Sequence, residues 1–303
     1  MAFLYLLEKI RTPILDEFML LITRFGEETA FLVAALIIFW CVDKYKGYYI
    51  LSVGFIGTIA NQFMKLIFRI PRPFVLDEGI ALEPAIEAAS GYSFPSGHTQ
   101  SAVGTFGGVA YTAKNRWVKL VALIIAVLVP FSRMYVGVHT PLDVGVAAVM
   151  AILLIFALKP VVFGKSKRSI LWLLAAMAAL AVSFWMYVTF FPFPADIDNH
   201  NLASGIKNAY TLLGALVGLV IVYIVDEKWL KFSTKATWWA QIIKVILGLL
   251  LVLAVKSGLK TPLNYLFGEM LGRSIRYFLI VIFAGILWPL SFKLFGKLGN
   301  KVK

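Results

Sequence analysis

Charged residues are scarce in this sequence of 303 residues. Only 15% of the chain is Asp, Glu, Lys or Arg, against about a quarter in soluble domains, whereas 60% is hydrophobic and the mean hydropathy is +0.85. A chain this apolar cannot cover its surface with polar groups in water. The composition therefore excludes an ordinary soluble protein and predicts an integral membrane protein.

Several other features are missing, and each absence excludes a class of protein. The single cysteine, Cys41, excludes an intrachain disulfide. No group of acidic residues offers the oxygen ligands that magnesium needs, so we predict no metal and no cofactor. No basic stripe interleaved with aromatic residues suggests a nucleic-acid partner. Residues 1–10 contain Glu8 and no small-residue cleavage site, so we do not expect a cleaved signal peptide.

Long apolar runs separated by short charged loops predict an all-α, polytopic transmembrane bundle. A helix needs about 20 residues to cross the hydrocarbon core. The mixed composition of residues 13–24 favours an interfacial amphipathic helix instead. A basic stretch, Lys165 to Arg168, divides the chain into residues 1–168 and a hydrophobic extension, 169–303. The runs predict nine spans, at residues 27–43, 48–68, 98–113, 117–133, 142–160, 169–190, 207–225, 238–256 and 275–293.

The net charge of +13 predicts an orientation in the membrane. One set of loops, which includes Lys44, Lys114 and Arg168, carries sixteen lysines and arginines, and the opposite set carries eight. Cytoplasmic loops are enriched in basic residues, so the first set is expected inside. With nine spans, the N-terminus and the three polar clusters described next then lie on the non-cytoplasmic side.

The first polar cluster runs from Lys65 to Pro73 and contains two cations at the end of a predicted span. Lys65 and Arg72 are seven residues apart, which places them on one face of a helix. Pro71 and Pro73 then end that helix. Basic residues whose side chains only extend to the membrane interface would give the same sequence pattern. Alone, this cluster does not indicate a site.

The second cluster runs from Gly91 to Thr99, directly before an apolar helix. Ser96 is a good N-cap, and the free N–H groups of a helix N-terminus attract anions. Gly97 lets a ligand approach the backbone closely. His98 can exchange a proton near neutral pH. A capped helix with an interfacial histidine would explain this cluster equally well.

The third cluster, Ser132 to Asp143, contains Arg133 and His139. Thr140 followed by Pro141 predicts the start of a helix, with Asp143 in its first turn as a capping residue. Asp143 is also four residues from His139. An imidazole–carboxylate pair would fix the tautomer of the histidine and make it a better nucleophile. Both interpretations of Asp143 remain open at the level of sequence.

Together the clusters place three cations, two histidines, one acid and a helix N-terminus at one membrane boundary. Ionisable groups near hydrocarbon are costly and tend to be functional. Phosphoryl transfer needs this combination of cations, a nucleophile and an acid. The sequence resembles the type-2 phosphatidic acid phosphatase superfamily over about residues 15–165. The matching positions are Lys65, Arg72, Pro73, Pro95, Ser96, Gly97, His98, Ser132, Arg133, His139 and Asp143. Nine spans with an outside N-terminus look more distantly like glucose-6-phosphatase and sphingosine-1-phosphate phosphatase.

The resemblance implies a metal-independent phosphatase with a phosphohistidine intermediate. His139 would attack phosphorus, held by Asp143, and His98 would protonate the leaving group and later activate water. The phosphate would be bound by Lys65, Arg72, Ser96, Gly97 and Arg133. We expect residues 1–168 to form this phosphatase core, and a lipid phosphate to be the substrate. The expected location is the bacterial plasma membrane, with the site facing outside and membrane lipids around the helices.

Other functions fit parts of the pattern. The same intermediate could pass its phosphoryl group to a lipid alcohol, and a soluble sugar phosphate could replace the lipid as substrate. Nine spans would also suit a lipid transporter or flippase. Transport sites usually lie near the membrane midplane, whereas these polar clusters gather at one boundary, which favours chemistry.

Overall fold

The structure is a computed structural model that describes residues 1–164 and 166–298. Lys165 and residues 299–303, part of the predicted basic loops and extension, lie outside the described residues. The described chain is helical and contains no β-strand, which confirms the predicted all-α class. It divides into two compact units, and each mixes early and late segments of the chain. The predicted division at residue 168 therefore stays a prediction.

Unit 1 contains residues 1–34, 49–167 and 192–205. Polar side chains cap the starts of two of its helices. Thr12 caps the second helix through Leu15 N, and Asn115 accepts hydrogen bonds from two amides of the ninth. The helices, some of which continue into unit 2, are α1 Ala2–Glu8, α2 Pro13–Thr23, α3 Glu28–Ile37, α4 Lys44–Phe68, α5 Pro73–Leu76, α6 Glu83–Glu87, α7 Gly97–Ala102, α8 Gly108–Thr112, α9 Arg116–Tyr135 and α10 Pro141–Phe163.

Unit 2 contains residues 35–48, 168–191 and those from Ile206 onward. Gly268 interrupts its fourth helix with a φ of 76°, a conformation that glycine adopts readily. Lys260–Phe267 is thereby separated from a second helical segment that begins at Glu269. The helices are α11 Lys167–Phe190, α12 Asn199–Val225, α13 Trp238–Gly258, α14 Lys260–Ile282, α15 Trp288–Leu290 and α16 Phe292–Lys297.

Seven helical stretches of the described chain are long and apolar enough to cross a membrane. A bent pair, Pro13–Gly26 and Glu28–Val42, would make eight if it counts as one span. The membrane class is confirmed, whereas the count of nine is not. The predicted span 98–113 corresponds to helix from Gly97 to Thr112, and 27–43 to Glu28–Val42. Both are shorter than the roughly 20 residues that a straight crossing needs.

Three motif-bearing segments meet at one end of unit 1. The helical run α7 to α8 packs against α9, and the connection between them is only Ala113–Asn115. A short connection makes the two helices antiparallel neighbours. The start of α7 and the end of α9 therefore lie at the same end. The helix α10 starts there as well, because only residues 136–140 separate it from α9.

The loop before His139 is fixed by contacts from distant parts of unit 1. Arg11 donates hydrogen bonds to the carbonyl oxygens of Tyr135, at 2.7 Å, and Ile80, at 2.8 Å. Gly137 has a φ of 81°, and a Cβ there would lie 2.1 Å from Ile80 O. Only glycine fits such a position. A small core beneath the loop contains Leu7, Met19, Ala85, Tyr135, Val136 and Val138.

Candidate active site

The three clusters found in the sequence contact one another. Lys65 Nζ, at the end of α4, donates to Tyr92 O in the second cluster. Ser96 N donates to Asp143 O at 3.1 Å, which joins the second cluster to the third. Arg72 Nη1 lies 3.3 Å from His139 Nε2, which joins the first to the third. One site therefore contains residues from all three clusters.

Backbone carbonyls hold the guanidinium of Arg72. Its Nε donates to Gly91 O at 2.9 Å, and its Nη2 donates to Ser90 O at 2.7 Å. The side chain is 6% exposed. With two of its nitrogens bound to the loop, the third, Nη1, is held beside the imidazole of His139. Arg72 is thus a fixed cation next to a histidine nitrogen.

Arg133 brings unused hydrogen-bond donors into the site. It is 1% exposed, and its Nη1 donates to Thr23 Oγ1 at 2.7 Å. Its Nε and Nη2 have no partner among the described residues. A buried donor without a partner is costly, and more so when it is charged. An anion that accepts these hydrogen bonds would remove the cost.

His139 is oriented through its Nδ1 side. It is 1% exposed, and its Nδ1 lies 3.4 Å from Ser93 Oγ and 3.6 Å from Asp143 Oδ2. The Ser93 hydroxyl donates to the same Asp143 oxygen at 2.7 Å. Ser93 thus lies between the two residues. Since Nδ1 faces this pair, Nε2 is the nitrogen turned toward Arg72.

Asp143 is both a helix cap and a neighbour of His139. Thr140 N donates to Asp143 Oδ2 at 2.7 Å, and Asp143 N donates to Thr140 Oγ1 at 3.3 Å. This is the capping box that the sequence predicts. The distance of 3.6 Å to His139 is within ion-pair range but longer than a hydrogen bond. The two interpretations of Asp143 are therefore compatible.

The start of α7 brings Ser96, Gly97 and His98 to the same end. Ser96 Oγ accepts a hydrogen bond from Thr99 N at 3.4 Å, so Ser96 is the predicted N-cap. Asn61 on α4 donates from Nδ2 to Pro95 O at 3.1 Å. Its Oδ1 is buried without a partner among the described residues and lies 3.7 Å from where a Gly97 Cβ would be. Asn61 therefore adds an uncharged acceptor beside the helix N-terminus.

The turn after α2 closes over His98. A Cβ on Gly26 would lie 2.8 Å from His98 Cβ and 2.9 Å from Val129 Cγ1. Only a residue without a side chain allows this approach. The imidazole of His98 is partly exposed and no hydrogen bond to it occurs within the described residues. His98 is thus packed on one side and available on the other.

Both histidines have a low pKa, and both lie outside the seven candidate spans. Burial lowers the pKa of His139 well below its usual value, and the charges of Arg72, Arg133 and Lys65 lower it further. Burial also lowers the pKa of His98, with Arg133 as the strongest neighbouring charge. Proximity to three cations disfavours the imidazolium form. The site is therefore cationic, with neutral imidazoles able to act as nucleophile or base.

Some residues of the site were not singled out from the sequence. Ser93 lies within the Gly91 to Thr99 cluster, whose composition marked the segment but not that serine. Thr23 and Asn61 carry no sequence signal, because their partners are Arg133, 110 residues away, and Pro95, 34 residues away. The third histidine, His200, lies apart from these clusters in the sequence and is exposed near the start of α12.

Comparison with known proteins gives the family. A family model described as the PAP2 superfamily matches residues 45–167, which include the site, and one described as the PAP2 superfamily phosphatase transmembrane extension matches residues 210–301. The undecaprenyl-diphosphatase BcrC of Bacillus subtilis is 31% identical over 145 residues, or 47% of this chain and 72% of that protein. The chain belongs to the PAP2 superfamily.

Two further relatives show similar identity. Phosphatidylglycerophosphatase B of Bacillus subtilis is 31% identical over 163 residues, covering 50% of this chain and 76% of that protein. An undecaprenyl-diphosphatase of Sulfolobus acidocaldarius is 31% identical over 132 residues, covering 43% of this chain and 62% of that protein. No solved structure matches. Membership of the PAP2 superfamily confirms the predicted resemblance and the assignment as a phosphatase.

Proposed function

We propose that this chain hydrolyses a lipid phosphate or pyrophosphate through a phosphohistidine at His139. The observation that carries the proposal is the orientation of this histidine. Its Nδ1 faces Ser93 and Asp143, while its Nε2 lies 3.3 Å from Arg72 Nη1. A nucleophilic nitrogen is thereby held beside a phosphate-binding cation, and the opposite nitrogen has a carboxylate near it to stabilise the positive charge formed on attack.

In the first step, His139 Nε2 attacks phosphorus and the bond to the leaving oxygen breaks. His98 donates a proton to that oxygen. Lys65, Arg72 and Arg133 neutralise the phosphoryl oxygens, and two donors at the start of α7, the Ser96 hydroxyl and the Gly97 amide, bind them as well. Such fixed donors stabilise the charge of the transition state without reorganisation.

In the second step, water attacks the phosphorus of phospho-His139. His98, neutral after the first step, accepts a proton from this water, and the P–N bond breaks. Inorganic phosphate leaves, His139 is restored and His98 is protonated for the next cycle. An alcohol in place of water would give phosphotransfer, and product analysis with an added lipid alcohol distinguishes the two outcomes.

An apolar groove favours a lipid substrate over a soluble sugar phosphate. The groove has a volume of about 430 Å³ and runs along α10, starting at Pro141 and Leu142, directly after the segment that carries His139. Every residue that lines it is apolar: Met64, Pro141, Leu142, Gly145, Val146, Val149, Met150 and Leu153. A hydrocarbon chain fits such a lining. The relatives described above are likewise named for lipid phosphates and diphosphates.

We also propose a topology of nine passes in a bacterial plasma membrane, with the site on the non-cytoplasmic face. Glu28–Val42 and the run Gly97 to Thr112 would be the two short passes. The second packs along α9, itself a candidate span, which supports a crossing. Residues 1–168 would carry the chemistry, and 169–303 would form the extension. Intact cells should then hydrolyse a membrane-impermeant phosphate ester; hydrolysis only after permeabilisation would contradict this orientation.

The experiment that tests the proposed function measures phosphate release in detergent. His139→Ala should lower kcat by roughly 10⁴-fold or more, as expected for loss of a nucleophile. His200→Ala is a matched control, because His200 is exposed and should leave kcat unchanged. Substantial activity in the His139 variant would remove His139 as the nucleophile. A band of phosphoenzyme after quenching in alkaline SDS, which preserves the acid-labile P–N bond, should be present in the wild type and in His200→Ala and absent from His139→Ala.

The role of His98 has its own test. A general acid contributes about 10²- to 10⁴-fold, so His98→Ala should lose turnover of an alkyl phosphate by that amount. An ester with a good leaving group, such as p-nitrophenyl phosphate, needs no such proton and should still form the phosphoenzyme. Wild-type turnover of the alkyl phosphate by this variant would exclude His98 as the general acid.

A further inference from the structure

Unit 2 contains a buried arginine that lacks an anionic partner. Arg276, on α14, is 5% exposed, and its Nε has no hydrogen-bond partner among the described residues. No acid of the described chain lies within ion-pair distance of it. Its guanidinium carbon lies 5.8 Å from the ring centre of Tyr277. A permanent charge within a candidate membrane span is expensive and points to a function.

The neighbours of Arg276 extend the positive region. Arg273 lies three residues earlier on the same helix, so the two arginines share a face. Arg273 Nε donates to Thr211 Oγ1 on α12 at 2.6 Å. One helical turn before Thr211, Lys207 forms an ion pair with Glu269 at 2.9 Å. Lys207 and Thr211 of α12 therefore lie beside Glu269 and Arg273 of α14, and Arg276 lies about one turn further along α14.

One acid does not balance these cations. Glu269 is 56% exposed and already pairs with Lys207, so Arg273 and Arg276 remain in excess. Arg276 lies seven residues beyond Glu269, which is about 10 Å deeper along the helix. Long side chains on a helix lean toward its N-terminus. Both arginines lie near the helix end that begins after the break at Gly268.

The same end offers an unused acceptor. A Cβ on Gly272 would lie 2.9 Å from Asn264 N, so Asn264 packs directly against the turn that precedes Arg273. Asn264 Oδ1 is buried without a partner among the described residues. A ligand that satisfies this group must carry a donor such as a hydroxyl. A ligand that satisfies Arg276 must carry a negative charge.

We propose that Arg273, held in place by Thr211, and Arg276 form a second anion site, which binds the phosphate of a glycerol phosphate group. An anionic phospholipid carries this group, with its phosphodiester on the arginines and a headgroup hydroxyl on Asn264. The site does not depend on the proposed function, because a phosphodiester is not the monoester that His139 would attack. It gives the C-terminal extension a role in holding membrane lipid.

Native mass spectrometry of the full chain in a neutral detergent tests this site. Phosphatidylglycerol should remain bound to the wild type at about one molecule per chain, and phosphatidylcholine should not. Arg276→Gln should reduce the occupancy about 10-fold, whereas Arg276→Lys, which keeps the charge, should retain most of it. Lys228→Gln is the matched control, since it removes one exposed positive charge from the same unit and should have no effect.

Two results would overturn the site: equal binding of the two lipids by the wild type, or unchanged phosphatidylglycerol occupancy in Arg276→Gln. If that variant does not fold, Arg273→Gln replaces it. Arg273 is less buried, and its substitution should likewise reduce phosphatidylglycerol occupancy about 10-fold. Added glycerol 3-phosphate separates the two sources of the ligand. Displacement of the lipid would mean that the site also takes the soluble group, and persistence of the lipid would assign the site to the membrane.

Discussion

Ser93 joins the two residues on which the proposed chemistry depends. Its hydroxyl donates to Asp143 Oδ2 at 2.7 Å and lies 3.4 Å from His139 Nδ1. A hydrogen bond to a charged group contributes about 1.5–3 kcal/mol. Ser93→Ala should therefore lower kcat by roughly 10- to 100-fold, with Ser93→Thr restoring most of it. The kcat of both variants is measured by phosphate release. A wild-type kcat for Ser93→Ala would show that this serine does not position His139.

The low pKa values of the two histidines predict how activity depends on pH. Neutral His139 is required, so activity falls as pH drops through its depressed pKa. Protonated His98 is required, so activity falls as pH rises through its own depressed pKa. The profile of kcat/KM, which reports the free enzyme, should therefore have its optimum below about 6.5, the usual pKa of histidine.

A bound phosphate should shift part of this profile. Its negative charge lies beside His98 and raises the pKa of that imidazole. The alkaline limb of kcat, which reports the enzyme–substrate complex, should then lie at higher pH than the alkaline limb of kcat/KM. Both profiles come from initial rates across pH 4–9. An alkaline limb of kcat at the same or lower pH would contradict the role of His98.

Local spacing predicts some of these residues and not others. Thr140, Asp143 and His139 lie within five positions, so helix geometry alone predicts the capping box and places the acid near the imidazole. The partners Thr23 and Arg133 are 110 residues apart in sequence. Their contact depends on how whole helices pack, which periodicity does not report. Ser93 is an intermediate case, since its segment could be identified but its hydrogen bonds could not.

Hydropathy predicts where a membrane span occurs better than it predicts whether that span is straight or broken. Each of the seven candidate spans overlaps a predicted one. The first break, between Pro13–Gly26 and Glu28–Val42, lies where the sequence predicts the boundary between residues 13–24 and 27–43, but its bend of 57° was not predicted, and neither was the interruption at Gly268. Hydropathy measures how apolar a run is, whereas a break depends on backbone angles and on what packs beside the chain. Glycine within an apolar run fits a straight helix and a bend equally well.

The bend after α2 has a consequence that can be measured. Gly26 packs against His98 and Val129 at distances that leave no room for a Cβ. Gly26→Val should displace His98, lower the melting temperature and reduce kcat by about 10-fold or more, since overpacking costs about 1–3 kcal/mol. Gly79→Val is the control, because the nearest atom to its Cβ would be Asp77 Oδ1 at 3.8 Å. Wild-type kcat in both variants would show that this contact does not position His98.

At the scale of the whole molecule, the bilayer is the solvent and also the proposed source of substrate. Large apolar side chains are exposed along many helices, among them Leu153, Trp172 and Leu250. Composition alone predicted this surface. Composition could not predict the apolar groove along α10, because a groove is a gap between helices. It exists because Gly145 leaves space along α10, with nothing within 4 Å of where its Cβ would be.

Gly145 therefore offers a direct test of how the substrate is held. Gly145→Leu should fill the groove without a clash and displace about four carbons of a bound tail. Burial of each CH₂ is worth about 0.8 kcal/mol, so the loss of about four of them should lower kcat/KM for a long-chain lipid phosphate roughly 200-fold. The kcat/KM for p-nitrophenyl phosphate, which has no tail, should change by less than about 2-fold, because the variant leaves the phosphate-binding residues in place.

Gly258→Leu is the matched control, since Gly258 on α13 likewise has nothing within 4 Å of its Cβ position. It adds the same side chain far along the sequence from the groove and should leave both activities unchanged. Rates are compared at a fixed mole fraction of lipid in detergent, so that dilution of the substrate among micelles is equal. Equal losses for both substrates in Gly145→Leu would mean that the leucine disturbs the site itself. No loss for either would mean that the tail lies elsewhere, and the groove would no longer support a lipid substrate.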